Sequence, residues 1–233
     1  MTSLKSAQWQ KDCDLLATQR LDEKEGFAGF VLRMRQAGIV DHALTAALEA
    51  TPRTLFTPYS FADAAYSPRM IPIECGSFLE GIDLAARLLF RLDLKAGQRV
   101  LEIGTGSGFT AAVIARLVDR VLTIDRYRTL VRLADERFAR LAIVNVAARV
   151  ADGRMGVRGE GTFDRILVTG AFESIPRHFA DLLVSDGIML APLMREDGER
   201  MMVRFHKIGS RFEREDLFAV PYEPLQADVA LAR

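Results

Sequence analysis

The sequence predicts an α/β fold: a doubly wound, mostly parallel sheet, with an antiparallel hairpin towards the C-terminus and a helical segment at the N-terminus. Three observations carry this expectation. Short apolar runs alternate with helical periodicities across about residues 97–195. Three glycines, Gly104, Gly106 and Gly108, separate the first of those runs from the helix after it. After residue 200 the pattern changes to two strand-like runs around Gly209-Ser210.

In chain order, residues 1–26 read as a polar, helical N-terminal extension ending in Leu21-Asp22-Glu23-Lys24-Glu25 and Gly26, and 27–233 as one domain. From Phe27 to Ala50 apolar residues recur at helical spacing, Gly38 breaks the run, and Asp41 is placed to cap a second helix. Pro52, Pro58, Pro68 and Pro72 make the next stretch irregular. Ile82–Leu92 returns to helical spacing. Arg99–Ile103 is a short apolar run stopped by glycines, which suits a buried parallel strand. Helix Phe109–Leu117, strand Arg120–Asp125, helix Leu130–Leu141 and strands Val144–Val150 and Phe163–Thr169 follow. Then come helix Pro176–Val184, a turn at Ser185-Asp186-Gly187, strand Gly187–Leu193, and the hairpin Arg200–Ile208 with Arg211–Val220.

Composition narrows the function. With 49% apolar residues in a chain of 233, a full core can be buried. Basic and acidic residues balance at 31 each, which argues against a general nucleic-acid binder. The two cysteines, Cys13 and Cys75, are too few for a disulfide framework. With neither a signal core nor an apolar run long enough to span a bilayer, the chain reads as cytoplasmic, without a membrane partner. The three histidines are dispersed, so no metal site is expected. Oligomeric state is open at this stage.

Glu102-Ile103-Gly104-Thr105-Gly106-Ser107-Gly108 follows a strand and opens a helix, where unpaired N–H groups and the helix dipole favour an anion such as a carboxylate. A nicotinamide fingerprint needs glycine or alanine at position 109, where Phe109 stands. Glu102 suits an ammonium better than a pyrophosphate. Asp125, 21 residues after Gly104, can accept ribose hydroxyls. Asp152-Gly153, after the third strand, can accept from an adenine amine. Ammonium, diol and aminopurine together specify S-adenosylmethionine, with Thr105, Ser107, Arg126 and Thr169 completing the expected cofactor site. Each acid also has a bland reading, because an Asp after a strand caps helices and Asp-Gly makes turns.

These stretches resemble the protein-L-isoaspartate O-methyltransferase family, a class I methyltransferase group with a Rossmann-like sheet. The match runs through Val100–Gly108, Ile124-Asp125-Arg126, Asp152-Gly153 and Phe163–Thr169. Upstream, Thr51-Pro52-Arg53-Thr54-Leu55-Phe56-Thr57-Pro58, followed by Ala65-Tyr66, is similar to the family's PR-x-x-F-x-P segment. The resemblance implies methyl transfer from S-adenosylmethionine to the carboxyl of isoaspartyl residues in a peptide or protein, and a Gly-Gln-Thr-Ile-Ser-Gln-Pro loop beside the methyl donor. Here that loop reads Gly76-Ser77-Phe78-Leu79-Glu80-Gly81-Ile82, so Phe78 and Glu80 replace its hydroxyls.

An ionised Glu80 about 4 Å from an incoming carboxylate would cost roughly 4 kcal/mol at an effective dielectric near 20. The expectation is therefore an S-adenosylmethionine-dependent methyltransferase of the isoaspartyl type with its acceptor left open, an altered acceptor being one alternative, and with Glu80 and Ser77 as candidate catalytic residues. Glu80 orients or deprotonates an amine or hydroxyl, or forms a salt bridge with Arg69 or Arg87. The isoaspartyl acceptor returns if Glu80 points away and Ser77 takes its place. The alternative is a non-catalytic protein that binds S-adenosylmethionine or its demethylated product.

Overall fold

The computed structural model describes residues 23–157, 159–209 and 211–230; most of the expected N-terminal extension, with Trp9 and Cys13, lies outside them. The chain is helical over 23–36 (α1), so the described end of that extension continues through Gly26 into the same helix. Glu23 anchors it, accepting hydrogen bonds from the Tyr66 hydroxyl and from Thr54 Oγ1 (2.6 Å). The second helix, His42–Glu49 (α2), begins where Asp41 accepts from the backbone N–H of Leu44 at 2.9 Å. Between residues 53 and 76 the chain forms three short 3-10 turns, as the prolines foretold, with a small antiparallel pair Ile71–Pro72 (β1) and Phe78–Leu79 (β2).

Helix Ile82–Leu92 (α3) buries Ile82, Ala85, Leu89 and Leu92, one face of a 3.6-residue repeat. The alternating core follows: Arg99–Ile103 (β3), Phe109–Ala115 (α4), Arg120–Asp125 (β4), Arg128–Arg140 (α5), Val146–Val150 (β5) and Phe163–Val168 (β6). Phe179–Leu182 (α6) leads into Leu183–Met194 (β7), and Arg200–Ile208 (β8) and Arg211–Ala219 (β9) complete the sheet. Its order is β5-β4-β3-β6-β7-β8-β9, parallel as far as β7 and antiparallel beyond. The chain winds outward from β3 to β5 and then returns to β6 on the other side of β3. A crevice therefore opens past the carboxyl ends of β3 and β6, the switch point where such folds bind ligands.

Residues of β3 alternate between the two faces. Val100 belongs to the core shared with α1–α5, while Leu101 and Ile103 belong to the core on the opposite face, with Phe163, Phe172, Phe179 and Phe205.

One expected boundary is corrected. The helix foreseen over Pro176–Val184 is a single turn, and β7 starts at Leu183, four residues before the expected turn at Ser185-Asp186-Gly187 ends. Leu183 pairs with Phe163 and Ile188 with Arg165, so the intervening residues form a bulge with Asp186 at φ 60°. The turn signal was real, but it bends a strand instead of ending one.

Candidate functional site

The loop after β3 turns sharply at Gly104, whose φ is 102°, a conformation that L side chains rarely adopt. A Cβ there would lie 2.1 Å from Thr169 Oγ1, which hydrogen-bonds the carbonyls of Ile103 and Gly104 at 3.2 Å each. Thr169 thus staples the ends of β3 and β6 together, and glycine is what lets them meet.

Behind the loop, Phe109 opens α4. Its ring packs edge-on against Phe56 (centroids 5.5 Å apart, 75°), and the Arg53 guanidinium lies 4.3 Å from its centroid. Arg53 and Phe56 come from the PR-x-x-F segment, so that motif clamps the residue following the glycines. Arg137 of α5 ties both pieces together, donating to Leu55 O (3.1 Å) and Ser107 O (3.0 Å).

The resulting cleft has a volume of about 230 Å³. Its walls come from the 70–80 segment, the glycine loop, the end of β4, Gly153, Thr169-Gly170 and residues 221–226. The sequence-predicted residues Ser77, Glu80, Gly104, Thr105, Gly106, Ser107, Asp125, Arg126, Gly153 and Thr169 all line it. Gly108, the N-cap of α4, does not; it packs against Ala134 and Phe138.

The three acids chosen from sequence stand at the ends of three neighbouring strands, yet they differ in what they offer. Asp125 lines the cleft and is 8% exposed. Its Oδ2 accepts from Gly106 N and its Oδ1 from Tyr127 N, both at 3.0 Å, leaving a lone pair on each oxygen for a ligand. Desolvation raises its pKa, against the pull of these N–H groups.

Glu102 does not reach the cleft, and the direct ammonium contact expected of it gives way. It shares the parity of Val100, so its carboxyl points under α4 and is 0% exposed. There it accepts from Thr110 Oγ1 and from Thr123 Oγ1 (2.6 Å), with Thr105 Oγ1 a further 2.7 Å beyond Thr123. Burial pushes its pKa up to about 8, opposed by the two threonine hydroxyls and aided by the charges of Glu80 and Asp125.

Asp152 is likewise committed elsewhere. Its Oδ1 accepts from Arg154 N (2.8 Å) and its Oδ2 from Asp228 N (2.9 Å), so it holds down the C-terminal segment and is not part of the cleft wall. Arg126 does the same from the other side, donating to Gln226 Oε1 while its carbonyl accepts from Ala230 N.

In the divergent loop, Phe78 is 50% exposed at the cleft and Ser77 half-buried, whereas Glu80 is only 6% exposed. Glu80 forms no salt bridge with Arg69 or Arg87 among the described residues; Arg87 stacks on Phe218 instead. Its charged neighbour is Arg53, fully buried, whose Nη2 donates to the Glu80 backbone carbonyl. Desolvation raises the Glu80 pKa and Arg53 works against the rise. Tyr222 completes the group: its hydroxyl is buried in the cleft wall near Glu80, Glu102 and Arg53. Among the described residues, Glu80 Oε1, Tyr222 Oη and Arg53 Nε and Nη1 have no hydrogen-bond partner.

Sequence reasoning assigned neither Arg53 nor Tyr222 to the site. Arg53 was visible as part of the PR-x-x-F segment, and Pro221-Tyr222-Glu223-Pro224 carries two prolines that signal a stiff extended stretch. Among the described residues no group of His, Cys, Asp or Glu has metal-binding geometry, and no helix is long and apolar enough to cross a membrane.

A model of the protein-L-isoaspartate(D-aspartate) O-methyltransferase family matches residues 28–230. A protein-L-isoaspartate O-methyltransferase of Rhizobium meliloti is 57% identical over 199 residues, 85% of this chain and 98% of the relative. One from Azorhizobium caulinodans is 41% identical over 208 residues, 89% and 96% of the two chains. Among solved structures, a Plasmodium falciparum β-aspartate methyltransferase in complex with S-adenosyl-L-homocysteine superposes with a TM-score of 0.75 at 22% identity. That likeness covers 85% of this chain and 97% of the other, and at this identity it speaks for the fold.

Proposed function

We propose a function from one premise: the chain belongs to the protein-L-isoaspartate(D-aspartate) O-methyltransferase family, and is an S-adenosylmethionine-dependent methyltransferase. On our reading its acceptor is the carboxyl of isoaspartyl residues in peptides or proteins. The observation that carries this acceptor is the burial of Glu80 beside Arg53, because it removes the electrostatic objection raised by the loop sequence. An exposed, ionised Glu80 would repel a carboxylate; a buried one is either neutral or offset by the guanidinium next to it.

The residues present fit S-adenosylmethionine. The cleft lies at the switch point, Asp125 retains lone pairs for hydroxyls, and buried polar atoms of Glu80 and Tyr222 lack partners. When bound, this cofactor supplies an electrophilic methyl on a sulfonium. The chain's own task is then positioning and exclusion of water, because a carboxylate acceptor is already ionised at neutral pH. Ser77, half-buried at the rim, offers the acceptor a hydroxyl donor. Phe78 beside it shields the approach from solvent, and Thr169 and Arg137 keep the glycine loop in place.

The test is transfer of labelled methyl to an isoaspartyl peptide and to the same peptide with ordinary aspartate. Label appearing in the isoaspartyl peptide alone, as a base-labile ester, is expected. No label in either peptide would refute the acceptor. Since Phe78 stands where the family loop has threonine, binding of S-adenosylhomocysteine without any transfer would favour the non-catalytic reading instead.

A further inference from the structure

We infer that Glu80, with Tyr222 beside it, receives the ammonium of the methionine moiety, the role that sequence reasoning gave to Glu102. This rests on the S-adenosylmethionine reading above and assigns one end of that ligand.

Three acidic side chains line the cleft: Glu80, Asp125 and Glu223. Both oxygens of Asp125 already accept backbone N–H groups. The Glu223 carboxylate is 76% exposed and lies 3.6 Å from Arg200 Nη2. Among the described residues, Glu80 alone of the three is buried with an oxygen that no partner satisfies, and Tyr222 beside it brings a second unpartnered oxygen. A buried acceptor left unmade is costly, so two together mark a place where a donor belongs. An ammonium is such a donor, with N–H groups enough for both.

Charge points the same way. Glu80 lies within electrostatic reach of the Glu102 carboxyl, and the buried cation that acts on Glu80 is Arg53. Arg53 spends its contacts on the Glu80 backbone carbonyl and the Phe109 ring, and makes no ion pair with the Glu80 carboxylate among the described residues. A cation seated here meets the Glu80 carboxylate, whose own charge no ion pair offsets among the described residues. Depth separates cofactor from acceptor as well. A protein acceptor arrives from solvent and meets the more exposed Ser77 and Phe78, whereas Glu80 and Tyr222 are each only 6% exposed.

The experiment compares, by calorimetry, binding of S-adenosylhomocysteine and of 5′-methylthioadenosine, which has the nucleoside but no amino-acid part. Variants E80Q, E80D and Y222F are set against the unaltered protein. Glu80→Gln should weaken S-adenosylhomocysteine at least tenfold and leave methylthioadenosine within about twofold, as expected for loss of one charge-assisted hydrogen bond. Glu80→Asp should recover part of the loss, and Tyr222→Phe should show a smaller loss of the same selectivity. Thermal unfolding without ligand should find Y222F at least as stable as the parent, because it removes a buried, unsatisfied hydroxyl, and E80Q should remain folded with a single cooperative transition.

Unchanged S-adenosylhomocysteine affinity in E80Q, with the KM for isoaspartyl peptide raised, would place Glu80 on the acceptor side and overturn the assignment. Equal weakening of both nucleosides would overturn it too, by showing a collapsed pocket instead of a lost ammonium contact. Failure of the unaltered protein to bind either compound would instead sink the cofactor reading itself.

Discussion

Replacing Glu102 with glutamine tests whether the carboxyl behind the glycine loop is held neutral by its surroundings. Glu102 is completely buried, and its pKa is raised from 4.5 to about 8, first by desolvation. Between those two values the folded protein keeps a proton that the unfolded chain has released, so stability falls as pH rises through the window. One group contributes a slope of at most about 1.4 kcal/mol per pH unit. Over a shift of 8 − 4.5 = 3.5 units this amounts to roughly 5 kcal/mol at most.

The amide side chain introduced by Glu102→Gln carries no charge at any pH and can still accept from one threonine and donate towards another. The stability difference between E102Q and the parent should therefore move in the variant's favour from about pH 4.5 to about pH 8. Urea denaturation of both proteins across that range measures it, and contributions from groups remote from residue 102 cancel in the difference. A difference that stays flat would mean that Glu102 ionises normally in the fold. One that moves in the parent's favour would mean that the ionised form is stabilised by the threonines, and the burial argument would be wrong.

Three further outcomes are expected. Gly104→Ala puts a Cβ into Thr169 Oγ1 at a φ that costs L residues about 1–2 kcal/mol, so it should lower stability by more than that and abolish S-adenosylhomocysteine binding; adding Thr169→Ala should recover part of both, as thermal melts and calorimetry would read. Asp152→Ala should leave global stability nearly unchanged, but amide exchange at Asp228 and Ala230 should quicken, because the anchor of residues 226–230 is gone; unchanged exchange would show that Asp152 is not that anchor. Asp41→Ala should cost about 1 kcal/mol through loss of the α2 cap, and Asp41→Asn much less, by chemical denaturation.

How much was legible depended on the range of the interaction. Strands, helices and the terminal hairpin follow from periodicities of 2 and 3.6 within single segments, and the switch-point cleft from the order in which those segments alternate. The Asp41 cap and the glycine turn are equally local, since each is settled by a residue and its near neighbours. Even the hidden face of Glu102 was written in its parity with Val100, although nothing in that parity says whether a helix or a ligand covers it.

Tertiary structure decided which carboxyls remain available. Asp152 is claimed by a backbone N–H 76 residues away, and Glu102 by threonines on a helix and a neighbouring strand. Glu80, an acid that looked like an obstacle, lies buried against Arg53, 27 residues earlier in the chain. Composition and spacing carry hydrophobic patterning, because burial of apolar surface is non-directional and tolerates many partners. They do not carry the pairing of individual polar atoms, which turns on directions and distances of a few tenths of an ångström between residues remote in sequence. Which acid meets a ligand is a question of that second kind.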